Sequence, residues 1–91
     1  MLETKPYVIG SLRGTIYDFP EIGDILPMHN HTEEDIHISI IARGSFTARG
    51  SAGWTTTCQS GDVLDWAPND PHEFVALEKN SRIVNIVKNI K

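Results

Sequence analysis

Residues 35–66 read DIHISIIARGSFTARGSAGWTTTCQSGDVLDW, and their punctuation decides the fold class. Asp35 to Ala42 is rich in isoleucine, a β-branched residue that packs well on a pleated surface, and Arg43-Gly44 ends the run. Ser45 to Arg49 follows, and Gly50-Ser51-Ala52-Gly53 reads as a hairpin turn. Trp54 to Cys58 is β-branched and aromatic, and Ser60-Gly61-Asp62 turns the chain into Val63 to Trp66.

The same rhythm extends outward. Toward the N-terminus, Pro6 opens Tyr7-Val8-Ile9, Gly10 closes it, and Thr15 to Phe19 is stopped by Pro20. Gly23 and Pro27 bracket a short loop leading to His29. Toward the C-terminus, Pro68-Asn69-Asp70-Pro71 is a turn, His72 to Leu77 a strand, Glu78 to Ser81 a turn and Arg82 to Val87 the last strand. No window keeps a helical period over three turns. Up to nine short strands separated by turn residues predict an all-β sandwich or barrel.

A chain of 91 residues with 40% apolar content supports one modest core, so residues 1–91 are read as a single domain. The formal net charge of −4, with no basic stripe, argues against nucleic acid or an anionic membrane as partner. No apolar run approaches the roughly 18–20 residues that span a bilayer, and the first residues lack the pattern of a signal peptide. The single cysteine, Cys58, forms no internal disulfide and reads as a small buried strand residue. Together these features predict a cytoplasmic protein.

The four histidines carry the chemistry: His29 and His31 flank Asn30, His37 follows closely, and His72 comes after the proline turn. In an extended chain His29 and His31 point to one side, so both imidazoles can reach a single ion. Asp35 and His37 share their parity, whereas Ile36, Ile38 and Ile40 take the other. Two arrangements satisfy this pattern. Either the isoleucines form the core and the histidines face solvent, or the histidines line the interior and the isoleucines meet a partner, which makes a homodimer. His72, held behind Pro68 and Pro71, is either a positioned ligand or a solvated turn residue.

In combination these segments resemble the two sequence motifs of the cupin superfamily. Gly23, five residues, then His29 and His31 match the opening of the first motif, and Gly44 matches its closing glycine. Gly61 through Pro68 to His72 resembles the second, with Asn69 where a turn glycine usually stands and Ala76 where the motif ends in asparagine. The first motif's glutamate is missing. Counted forward from His31 its place is Asp35; counted back from Gly44 it is His37. His37 is preferred, because a glycine turn fixes strand register better than a strand start.

The resemblance implies a jelly-roll β-barrel of two facing antiparallel sheets, with a divalent transition metal (Fe, Mn, Ni, Cu or Zn) held by His29, His31, His37 and His72. Asp35 is the alternative to His37. It implies an oxygenase-, isomerase- or lyase-type enzyme, dioxygenases included, acting on a small chelating substrate. The alternatives are a non-catalytic module that binds a metal, sugar or effector, and a barrel that has lost its metal. Tyr17, Arg49, Trp66 and Phe74 are the candidate substrate-binding residues, although each aromatic could equally be core packing.

Overall fold

The structure is a computed structural model that describes residues 1–29, 35–50, 53–67 and 70–89, with the side chains of Asp35, Ile36 and Asn89 outside the description. Among the described residues there are nine strands: β1 Glu3–Ile9, β2 Leu12–Phe19, β3 Ile25–His29, β4 Asp35–Arg43, β5 Ser45–Gly50, β6 Thr55–Gln59, β7 Val63–Trp66, β8 His72–Ala76 and β9 Ser81–Asn89. They form a five-stranded sheet ordered β1-β2-β9-β4-β7 and a four-stranded sheet ordered β3-β8-β5-β6. Every pairing is antiparallel. The architecture is the expected pair of facing antiparallel sheets of a jelly roll. Among the described residues no helix is long and apolar enough to cross a membrane.

Two strands differ from the sequence reading for one reason. Pro27 lies inside β3 and Pro6 inside β1, where a loop and a strand start were expected. Both are edge strands, so a missing N–H leaves no ladder bond broken on the open side. The pairing of β3 with β8 also shifts between Leu26 and His29, a bulge that spans Pro27. Edge position is a property of topology and cannot be read from the local run.

Strand alternation builds the core. Phe19, Ile41, Phe46, Phe74 and Ile83 are fully or almost fully buried and meet between the sheets. Phe46 sits at its centre, edge-on to Phe19 at 4.8 Å and to Phe74 at 6.0 Å. Truncating such a ring to alanine costs about 3–5 kcal/mol. Cys58 is buried against Phe46, as expected, and burial pushes its thiol up to about 11.

On β4 the odd positions face inward: His37, Ser39 and Ile41 are all buried. Ile38 and Ile40 are half-buried on the outer face. Of the two arrangements open at the sequence level, the histidine side therefore lines the interior. Outside, Tyr7 lies across Gly14, where a side chain would meet its ring, and its hydroxyl donates to the carbonyl of Asn85 at 2.8 Å. At the rim, Arg82 donates twice to the Asp18 carboxylate, at 2.7 and 3.1 Å, and holds that carboxyl below its usual range.

Gly44 joins β4 to β5 at φ +85°, and a Cβ there would run into the Ser81 hydroxyl. Gly44→Ala should destabilise the protein by about 1–3 kcal/mol in chemical denaturation. Gly53→Ala, with positive φ but open space around it, should cost about 1 kcal/mol. The Cys58 thiol should resist an aromatic disulfide reagent in mildly alkaline buffer and react fully once denaturant is added.

Candidate functional site

Two rungs, one from each sheet, face one another to form the site. In the four-stranded sheet His72 stands opposite His29 on β3 and opposite Gly50 on β5. In the five-stranded sheet His37 stands between Val87 on β9 and Trp66 on β7. His37 and His72 are buried, at 1% and 0% exposure, and His29 is half-buried. Ring centres lie 4.3 Å apart for His29 and His72, 5.1 Å for His37 and His72, and 6.4 Å for His29 and His37.

The protonation pattern of two rings follows from their partners. Nδ1 of His29 is 2.8 Å from the Pro27 carbonyl, and Nδ1 of His72 is 2.8 Å from the Asp70 carbonyl. A carbonyl oxygen only accepts, so each Nδ1 carries the hydrogen, and the lone pair of the neutral ring sits on Nε2. Both Nε2 atoms are buried, as are both ring nitrogens of His37. In each case the anchoring carbonyl lies two residues before the histidine, so a local backbone turn orients the ring.

Trp66 and a buried polar chain hold this arrangement from the other sheet. The indole stacks on His72 with ring centres 4.1 Å apart and planes within 9° of parallel. Trp66 Nε1–H donates to Ser39 Oγ at 3.0 Å, and Ser39 Oγ–H donates to Asn85 Oδ1 at 2.7 Å. Ser39 and Asn85 are themselves buried. The chain fixes the rotation of Trp66, and Trp66 fixes the plane of His72. Phe74 closes the inner side, 6.4 Å from His72 and 5.8 Å from Trp66.

A cavity of about 480 Å³ opens beside the histidines rather than between them. Its walls are Trp54, Trp66, Val63, Leu64, Asp65 and Asp70, with the bare backbone of Gly50. Trp66 and Asp70 belong to both features: one stacks on His72 and the other supplies the carbonyl that orients it.

Of the expected metal ligands, His29, His37 and His72 come together. His31 lies outside the described residues, as does the side chain of Asp35. Imidazoles bound to one ion at about 2.0–2.1 Å in tetrahedral or cis positions have ring centres roughly 4.5–5.2 Å apart; His29 with His72 and His37 with His72 stand near that spacing, whereas His29 and His37 are farther apart, at 6.4 Å. Among the described residues, however, no group of three or more His, Cys, Asp or Glu side chains stands arranged to hold a metal ion.

The four expected substrate-binding residues divide evenly. Trp66 and Phe74 adjoin His72. Tyr17 instead packs against the core opposite Ile83, well along the sheet from the His37 rung. Arg49 is exposed and pairs with Glu73 at 3.2 Å, because the inward Phe46 and Ala48 turn it outward by alternation. Ser39, Asn85 and Trp54 were not singled out from sequence. Ser39 and Asn85 left a faint signal, each a polar residue at an inward position of an otherwise apolar run.

No known family's sequence pattern matches the chain, and no curated protein matches it by sequence. Solved structures do. KdgF from a Halomonas species superposes with a TM-score of 0.83 at 21% identity, over 99% of this chain and 80% of that one. A predicted oxalate decarboxylase from Thermotoga maritima gives 0.82 at 15% identity, over 97% and 80%. A cupin domain from Schizosaccharomyces pombe gives 0.80 at 14% identity, over 97% of this chain and 64% of that one. The chain has a cupin fold. At these identities the likeness is one of fold, and residue roles in this cupin barrel rest on its own geometry.

Removing the Ser39 hydroxyl strands the Trp66 N–H in a buried place. Ser39→Ala should therefore cost about 1–3 kcal/mol in denaturation and shift the tryptophan emission. Ser45→Ala, which removes an exposed hydrogen bond to Glu78, should change stability by less than about 0.5 kcal/mol.

Proposed function

We propose that this cupin barrel is a metal-dependent enzyme whose divalent transition ion is held by His29, His31, His37 and His72. The observation that supports the reading most is the close approach of Nδ1 to a backbone carbonyl at both His29 and His72. Each donates Nδ1–H to a backbone carbonyl, which leaves Nε2 as the coordinating atom of two adjacent rings. His37 adds a third buried imidazole, and an all-nitrogen donor set suits Fe, Mn, Ni, Cu or Zn. When bound, the ion would supply Lewis acidity or a dioxygen site for oxygenase-, isomerase- or lyase-type chemistry on a small chelating substrate. A structural neighbour described as a predicted oxalate decarboxylase is in keeping with that class. Trp66 and Phe74 would orient the substrate and exclude water. The proposed setting is the cytoplasm.

The proposal includes a homodimer. The outer face of the five-stranded sheet carries Ile16, Ile38, Ile40, Val84 and Ile86 as a half-buried apolar stripe. Charges of both signs border it: the Asp18–Arg82 pair lies at one end, and Asp65 and Lys88 stand on neighbouring outer-face rungs toward the other. A two-fold-related copy can match such a mixed border against itself. Sedimentation should give twice the chain mass, and Ile40→Lys should return the monomer.

Metal analysis and isothermal titration test the site. Purified protein should bind one divalent transition ion and gain thermal stability from it. His37→Ala and His72→Ala should each weaken binding by at least the roughly 10–100-fold that loss of an outer partner already costs. Asp35→Ala should leave affinity close to wild type. Retained affinity in both histidine variants would defeat the assignment. Metal binding with no turnover of any chelating substrate would favour the non-catalytic module.

A further inference from the structure

We propose that the cavity walled by Trp54 and Trp66 is a binding site for a small organic cation, an ammonium group bearing alkyl substituents. The cavity's volume of about 480 Å³ falls within the roughly 300–1,000 Å³ of small-molecule pockets. The two indoles meet at right angles, with planes at 89° and ring centres 6.1 Å apart, so they wall two sides of a corner. Gly50 makes this possible. A Cβ there would come within 2.8 Å of the Trp54 ring, so the missing side chain lets the indole fold over the strand. Trp54 is left 46% exposed, a large aromatic surface kept at the cavity lip.

The charge pattern selects among ligands. Asp65 and Asp70 are both among the lining residues, and none of the lining residues is basic. The nearest arginine in sequence, Arg49, is turned outward and paired with Glu73. An anion would meet two acidic residues and two electron-rich ring faces, with no basic residue in the lining. A neutral apolar molecule would desolvate both acidic residues without compensation. A cation is attracted by both elements at once: the acidic residues through charge, the indole faces through their quadrupole. Val63 and Leu64 add apolar wall suited to methyl or methylene groups. The chain's formal charge of −4 favours the same sign of ligand.

This site does not depend on the metal reading, because recognition uses none of the four histidines. It adjoins them through Trp66 and Asp70, so a bound cation would lie next to the ring of His72.

Choline is the probe, and dimethylbutanol, its uncharged carbon isostere, is the control. Both are titrated into the full chain with and without a chelator, reading tryptophan fluorescence and calorimetric heat. Choline should bind saturably in the millimolar range or tighter, whether or not metal is present, and the isostere at least about tenfold more weakly. Trp54→Ala, a change at a half-exposed residue outside the core cluster, should fold normally by circular dichroism and lose at least about fivefold in affinity. Asp65→Asn and Asp70→Asn should weaken choline and leave the isostere unchanged. Equal binding of choline and its isostere, no saturable choline response, or full affinity in Trp54→Ala would each overturn the proposal. Choline binding that disappears only with the chelator would also overturn it, since the ligand would then be seated on the metal.

Discussion

The inside–outside register of β4 is the constraint on which the rest of the molecule depends. His37, Ser39 and Ile41 face inward only because β4 pairs with β9 through Val87, Asn85 and Ile83, and with β7 through Trp66 and Leu64. The side-chain period of a strand is two, so a slip by one residue would expel the histidine, the serine and the core isoleucine together. It would bring Ile38 and Ile40 inward, which hydrophobicity alone would tolerate. What opposes the slip is polar: Ser39 has partners on both flanking strands, and no outer-face residue could take over its bonds to Trp66 and Asn85. The glycine turn at the end of β4 reinforces the choice, since Gly44 and Ser81 approach too closely for any other residue.

Seen this way, the barrel is divided along its length. One end is filled by Phe19, Phe46, Ile41 and Ile83 and supplies the stability. The other end gathers three imidazoles, an indole and a hydroxyl–amide pair in the same interior. Burying polar rings is unfavourable unless their hydrogen-bonding groups are met. The two carbonyl anchors at His29 and His72 meet part of that demand locally, and the Trp66–Ser39–Asn85 chain meets another part across the sheet. The apolar end is what allows the polar end to be held in one geometry.

Much of this was legible in the residues. The alternation of β-branched runs and turn glycines marks nearly every strand, whereas the parity of β4 left open which of its two faces turns inward. The histidine grouping follows from the two glycine-framed segments that bring β3 and β8 side by side. What was not legible depends on long-range placement. Pro6 and Pro27 sit in strands because those strands happen to be edges. Arg49 faces outward because its neighbours Phe46 and Ala48 claim the core. Ser39 and Asn85 lie 46 residues apart, and nothing local to either announces the other. Trp54 gains its place only because Gly50, on the adjoining strand, has no side chain to block it.

Asn85 has a mechanical consequence of its own. Its side-chain oxygen accepts from Ser39 inside the barrel, while its main-chain oxygen accepts from the Tyr7 hydroxyl on the opposite side of the sheet. One residue of β9 is thus pinned from both faces by strands that are not each other's neighbours. Sliding β9 along its axis would have to break bonds above and below the sheet at the same moment. The strand that sets the depth of His37 is therefore resistant to shear at that rung, and the aromatic and imidazole rings above it inherit that stiffness.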